Sequence, residues 1–268
     1  MPLLQLILVA MIQGITEFLP VSSSGHLILL PALTDFQDQG QLIDVAVHVG
    51  TLGAVVLYFW QDVKLGLGGL PRLLTGRTDT QGARLALGLI IATIPVVLAG
   101  AVLHYTGLST QMRNVTVIGW TMLIFGVVLY LADQKGGTEK QTSDWSRKDA
   151  LIMGLWQVIS LIPGTSRSGI TITGARHLGY NRQDAARLSM LMSIPTIVAS
   201  GVLLGTEAVV NADAAALWDS AIAAGLAFIC ALVALTAMMR LLGRISFTPY
   251  VIYRAILGVV LLAYAYSA

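Results

Sequence analysis

The chain has 268 residues, 56% of them hydrophobic and 11% charged, with a formal net charge of +2. Soluble domains carry roughly 25% charged residues, so this composition excludes an ordinary soluble enzyme, and nothing in it asks for a nucleic-acid partner. The single cysteine, Cys230, excludes internal disulfides and any cysteine-based zinc site.

The first apolar segment, 2–19, has no Lys or Arg before it and no small-residue cleavage site, so it is not read as a removable signal peptide. It is short for a span, which takes about 20 mostly apolar residues. It runs into Pro20 and then Ser22-Ser23-Ser24-Gly25, and a helix is expected to break at that proline. Full spans follow at about 42–60, 84–104 and 114–132. A second short segment, 150–162, meets Pro163-Gly164 and Thr165-Ser166-Arg167-Ser168-Gly169, and three more spans follow at about 186–207, 217–240 and 250–267.

The two broken segments match without a gap at an offset of 144 residues, Gln13 falling on Gln157, Ser22 on Ser166, Ser24 on Ser168 and Gly25 on Gly169. The chain therefore divides into a first repeat over 1–132, with a re-entrant part at 2–41, and a second over 150–268, with a re-entrant part at 150–185. A connecting loop covers 133–149. Basic residues fix the orientation, since Lys and Arg favour cytoplasmic loops. Thirteen of them fall at 61–84, 133–149, 176–187 and 240–249, against Arg113 alone on the other side, while 27–41 and 208–219 carry none. That distribution requires both broken segments to turn back without crossing, one from each side. With three spans per unit, the copies are then inverted. The expected fold is an all-α polytopic membrane protein with six transmembrane helices, two re-entrant broken helices and an inverted-topology repeat. Sites in such architectures form where the broken helices meet.

If the two breaks converge, Glu17, His26 and the serines 22–24 meet Arg167 in one pocket. The ingredients are an acceptor, a base, hydroxyl nucleophiles and a fixed cation, and Gln13 shares a helix face with Glu17. Gly25, Gly164 and Gly169 let backbone N–H groups approach an anion, and each following helix offers its positive end. A guanidinium suits phosphate through two parallel hydrogen bonds. It also suits a structural ion pair with Glu17. For Thr165, Ser166 and Ser168 two readings stand, phosphate contact or satisfaction of backbone groups freed at the break. Asp44 and His48, four apart at the start of a span, could line the pocket mouth, a local hydrogen bond being the plainer reading. Arg254, inside the last span, is expected to snorkel or to pair with an interior carboxylate.

The stretch QGITEFLPVSSSGH, 13–26, resembles the first signature of the undecaprenyl-pyrophosphate phosphatase family of bacitracin-resistance type. PGTSRSGIT, 163–171, resembles its second. The resemblance implies hydrolysis of the C55 isoprenyl diphosphate carrier lipid of cell-wall peptidoglycan synthesis to its monophosphate. It places that activity in a bacterial plasma (inner) membrane, with the active site toward the extracytoplasmic side. It also implies interdigitated inverted repeats and frequent homodimers. It puts the nucleophile at Ser23, with His26 and Glu17 beside it and Arg167 on the phosphate, and it makes Gln13, Ser22, Ser24, Gly25, Gly164, Thr165, Ser166, Ser168, Gly169 and Thr171 substrate contacts. His26 as nucleophile, or a metal-bound water, stays open. A divalent cation, Mg or Ca, is expected to arrive with the substrate. Gln13 stands where many relatives have a second glutamate, leaving Glu17 as the charged ligand of that motif. The rival function is a lipid-phosphate flippase or anion transporter without hydrolysis, because transporters also use inverted repeats with broken helices.

Overall fold

A computed structural model describes residues 1–34, 36–108, 112–210 and 213–267, and among them every regular element is helical. In chain order these are α1 (Leu3–Thr16), α2 (Ser23–Leu33), α3 (Gly40–Tyr58), α4 (Trp60–Leu74), α5 (Gln81–Thr106) and α6 (Val115–Lys135). They continue with α7 (Arg147–Val158), α8 (Arg167–His177), α9 (Arg182–Val210), α10 (Ala214–Leu241) and α11 (Thr248–Ser267). Six of these are long and apolar enough to cross a bilayer: α3, α5, α6, α10, α11 and the Arg182–Leu203 part of α9. They fall within a few residues of the six expected spans.

The expected 61–84 loop is instead mostly helix. α4 starts with Asp62 in its first turn and ends with Arg72 in its last, charges that suit the helix dipole. It packs along α5, where a Cβ on Gly69 would collide with the backbone of Gly82. Its polar residues conceal it from a search for long apolar runs.

Each short broken helix packs on the middle span of the other unit. α1 lies along α10 and α7 along α5, while α3 contacts α10 and α9 contacts α5. The seams are close because they are lined by small residues. A Cβ on Gly14 would come within 2.7 Å of Ala227 O, and one on Gly154 within 2.6 Å of Ala92 O, so glycine is required at both crossings. The last spans of the two units, α6 and α11, pack on each other. The crossed packing places both breaks in the middle of the bundle.

At the end of α6 a buried charge cluster ties the segment after α8 in place. Asp133 accepts from Arg182 Nε at 2.7 Å, Arg176 Nε at 3.3 Å and the Phe247 backbone N–H at 3.2 Å. Arg176 also donates to the carbonyls of Asp133, Gly136, Gly137 and Tyr180. Beside it, Asp149 accepts from Tyr180 Oη at 2.7 Å and Lys140 Nζ at 3.0 Å. Burial and the neighbouring Asp149 push the Tyr180 phenol above its ordinary range, so it stays a neutral donor. Several of the basic residues that orient the chain are thus also its staples. Asp133→Ala leaves the Arg176 guanidinium, 1% exposed, without its carboxylate, and is expected to destabilise by about 3–5 kcal/mol. Thermal unfolding in detergent checks this, and Asp133→Asn, which keeps an acceptor, should lose less.

Candidate active site

The two breaks have the same local structure, 144 residues apart. Ser22 and Ser166 both adopt φ of 73°, the only non-glycine residues with positive φ among those described. Such a conformation costs of order 1–3 kcal/mol at a non-glycine residue. Each serine offsets part of it by capping the helix that follows. Ser22 Oγ accepts from Gly25 N at 3.3 Å and Ser166 Oγ from Gly169 N at 3.1 Å. Their hydroxyls also meet Ser24 Oγ at 3.3 Å and Ser168 Oγ at 3.1 Å. The helices they start, α2 and α8, have 11 residues each and begin at Ser23 and Arg167, equivalent positions in the two units.

Glu17 joins those two residues. Its Oε1 accepts from Arg167 Nη2 at 2.8 Å. Its Oε2 accepts from Ser23 Oγ at 2.8 Å and from Gln13 Nε2 at 2.8 Å. The carboxylate is 7% exposed and the Arg167 side chain 13%, so the pair operates where water screens it little. Arg167 Nη1 reaches Ser189 O at 3.3 Å, which fixes the plane of the guanidinium. The arginine that opens α8, the serine hydroxyl that opens α2 and the Gln13 amide are therefore gathered around one carboxylate. An acceptor already holding a hydroxyl proton, beside a cation with planar N–H donors, is an arrangement that can take a proton from the serine and steady an incoming phosphate.

The other expected residues divide. Ser23 is half-buried and Ser24 exposed, and both remain accessible. Ser168 donates to Leu19 O at 2.9 Å. Thr171 bonds Arg167 O at 2.8 Å and Ser189 Oγ at 2.6 Å. Both are fully buried, the Ser168 hydroxyl tying the second break to the first and the Thr171 hydroxyl tying α8 to α9. Gly164 offers its carbonyl to Arg254. Two buried polar atoms at the breaks, Gln13 Oε1 and Thr165 Oγ1, have no partner among the described residues, and such atoms are normally met by water or ligand.

His26 is not in the Glu17 cluster. Its Nδ1 lies 2.7 Å from Ser22 O and its Nε2 2.6 Å from Tyr253 Oη, with the two rings stacked 5.7 Å apart. A carbonyl only accepts, so Nδ1 carries the hydrogen and the phenol donates to Nε2. Tyr253, on the last span, escaped the sequence reading. His48 did so in part. Its Nδ1 makes the expected local bond, to Asp44 O at 2.6 Å, but its Nε2 lies 3.8 Å from Glu17 Oε2. Arg254 neither snorkels nor meets a carboxylate. It is fully buried and donates to Met122 O, Pro20 O, Thr121 O and Gly164 O at 3.2–3.3 Å. Pro20 and Gly164 are again equivalent positions, so one guanidinium spans both breaks. The signal for His48 and Arg254 was their position, since an ionisable residue inside a span marks a functional site by default.

The sequence profile described as bacitracin resistance protein BacA matches residues 6–260. An undecaprenyl-diphosphatase of Ruegeria pomeroyi is 72% identical over 267 residues, covering 100% of both chains. One of Jannaschia sp. is 67% identical, also with 100% coverage of both. An undecaprenyl-diphosphatase 1 of Rhodospirillum rubrum is 46% identical over 273 residues, covering 99% of this chain and 96% of its own. With a profile match over nearly all of its length and relatives this similar from end to end, the chain belongs to the BacA bacitracin resistance family.

Proposed function

We propose that the protein hydrolyses undecaprenyl diphosphate to undecaprenyl phosphate and inorganic phosphate, recycling the cell-wall carrier lipid. The observation that carries this is the Ser23 hydroxyl donating to Glu17, whose other oxygen is paired with Arg167. The names of the full-length relatives support the same reading. A flippase or anion transporter needs the cation and the helix ends but has no use for a hydroxyl bonded to a carboxylate, so hydrolysis is favoured.

In the proposed mechanism the terminal phosphate takes over the Arg167 N–H donors and the first-turn N–H groups of α2 and α8. Ser23 Oγ attacks the terminal phosphorus in line as its proton passes to Glu17 Oε2. The bond from that phosphorus to the bridging oxygen breaks, and the prenyl monophosphate leaves with the electron pair. Water then attacks the phosphoserine, one of its protons passing by way of Glu17 to the Ser23 oxygen as the Ser23 O–P bond breaks and inorganic phosphate leaves. His26 has both nitrogens engaged by Ser22 O and Tyr253 Oη, which argues against it as the nucleophile. Glu17 has both oxygens occupied by Arg167, Ser23 and Gln13, and no group of three His, Cys, Asp or Glu side chains gathers among the described residues. This donor set does not fit a divalent ion held by protein ligands alone, and any Mg or Ca is proposed to ride in on the diphosphate. The basic residues on the opposite face support a site toward the extracytoplasmic side of a bacterial plasma membrane. Homodimers are proposed on family resemblance.

The test is phosphate release from undecaprenyl diphosphate by detergent-purified protein. Arg167→Ala is expected to lower kcat/KM by about 10²–10³-fold. Equal rates for wild type and variant would reject the site.

A further inference from the structure

Hydrolysis of a fully ionised diphosphate ester releases a proton, and the site described so far gives that proton no way out. Glu17 receives it from Ser23, yet Glu17 is 7% exposed and shut in by Arg167, Gln13 and Ser23. Gln13 is an amide and carries no proton away. One further proton-carrying side chain faces the same carboxylate. His48 Nε2 lies 3.8 Å from Glu17 Oε2, the oxygen that accepts from Ser23, and the His48 side chain is 39% exposed.

The imidazole is oriented for transfer. Nδ1 sits 2.6 Å from Asp44 O, one turn earlier on α3. A carbonyl only accepts, so the hydrogen is on Nδ1, and Nε2, the nitrogen 3.8 Å from Glu17 Oε2, is the one free to accept. Two acceptors side by side attract a proton between them, and a side-chain shift of about 1 Å brings Nε2 and a protonated Glu17 to hydrogen-bond distance. The charged groups around the imidazole are Glu17, with its partner Arg167, from the broken segments, and Asp44 from its own helix.

We propose that His48 is the proton exit of the active site, relaying the Ser23 proton from Glu17 Oε2 to bulk water. The inference rests on the phosphatase reading above. The balance is simple. Ser23 loses its O–H proton as its oxygen bonds phosphorus and the bridging P–O bond breaks. Glu17 holds that proton, then passes it to the Nε2 lone pair and is again a carboxylate. His48, now protonated at both nitrogens, gives the Nε2 proton to water and resets. In the second half-reaction the attacking water supplies the proton that returns to Ser23, so one proton per turnover leaves by this route.

The experiment uses the full chain, purified in detergent, releasing phosphate from undecaprenyl diphosphate with and without added imidazole. His48→Ala is expected to lose about 10²-fold in kcat with KM little changed. Free imidazole should restore the rate in proportion to its concentration. His48→Gln, which keeps polarity and bulk without accepting a proton, should also be slow. A merely structural histidine would not be replaced by a free base in solution. Full activity in either variant, or a loss in His48→Ala that imidazole leaves unmoved, overturns the relay. Ser23→Ala, run alongside, separates the two ideas. If it works as fast as wild type, the phosphatase site itself is wrong, whereas an inactive Ser23→Ala beside a fully active His48→Ala removes the relay alone.

Discussion

Ser23→Ala is expected to lower phosphate release on the order of 10⁴-fold or more, the scale on which enzymes lose a covalent nucleophile. Its two serine neighbours should behave differently. Ser22 spends its hydroxyl capping α2 from a positive-φ backbone, so Ser22→Ala should cost about 1 kcal/mol of stability and only secondarily slow the chemistry. Ser24 is exposed and, among the described residues, its hydroxyl meets only that of Ser22, so Ser24→Ala should be mild. Of the three, Ser23 alone donates to a carboxylate. Rapid quenching with substrate labelled in the terminal phosphate should place the label on Ser23. Label on His26, or near-normal turnover by Ser23→Ala, would overturn the assignment.

How much of this was legible in the chain depends on which force sets each feature. The spans were legible because the bilayer demands a run of apolar residues of fixed length, and six helices appear within a few residues of where such runs occur. α4 was not, because its charged residues break the apolar run. The equivalence of the two breaks was visible in the matching serines and glycines, and the shared φ of Ser22 and Ser166 shows why serine is useful there: its hydroxyl caps the helix that the unusual turn begins. Inversion of the two units is an expectation from the distribution of Lys and Arg.

Inside the site, Glu17, His26, the serines 22–24 and Arg167 could be grouped from motif chemistry, since a buried arginine needs a partner and a carboxylate lay in the matching segment, and the family resemblance singled out Ser23. His26 does not join them. It lies one turn along α2 from Ser23, close in sequence, yet its ring turns toward Tyr253 on the last helix, a contact 227 residues away. His48 was hidden for a related reason. Its local bond to Asp44 O satisfies one nitrogen and reads as complete, and only the packing of α1 against α3 reveals what the other nitrogen faces.

Arg254→Met is expected to destabilise the protein and disable the site together. A buried arginine at bilayer depth costs roughly 2.5–3.5 kcal/mol, and methionine removes that cost. Against it stand four hydrogen bonds from a charged donor, each contributing about 1.5–3 kcal/mol, so the bonds win and the net loss should be about 3 kcal/mol or more. The acceptors decide how that loss is felt. Thr121 O and Met122 O lie inside α6 and keep their helical setting, whereas Pro20 O and Gly164 O belong to the breaks, outside any helix. Pro20 immediately precedes the segment that carries Ser23, and Gly164 the one that carries Arg167. Loosening both carbonyls loosens the position of nucleophile and cation relative to each other, and a misplacement of about 1 Å in such a constellation can cost on the order of 10²-fold. Arg254→Lys keeps the charge but has a single nitrogen, which cannot reach both breaks along the two arms that the guanidinium uses, so it should recover part of the stability and less of the rate. Thermal unfolding in detergent and phosphate release, measured on the same preparations, test this. An Arg254→Met protein that melts and turns over like wild type would mean that the two breaks hold each other without the guanidinium between them.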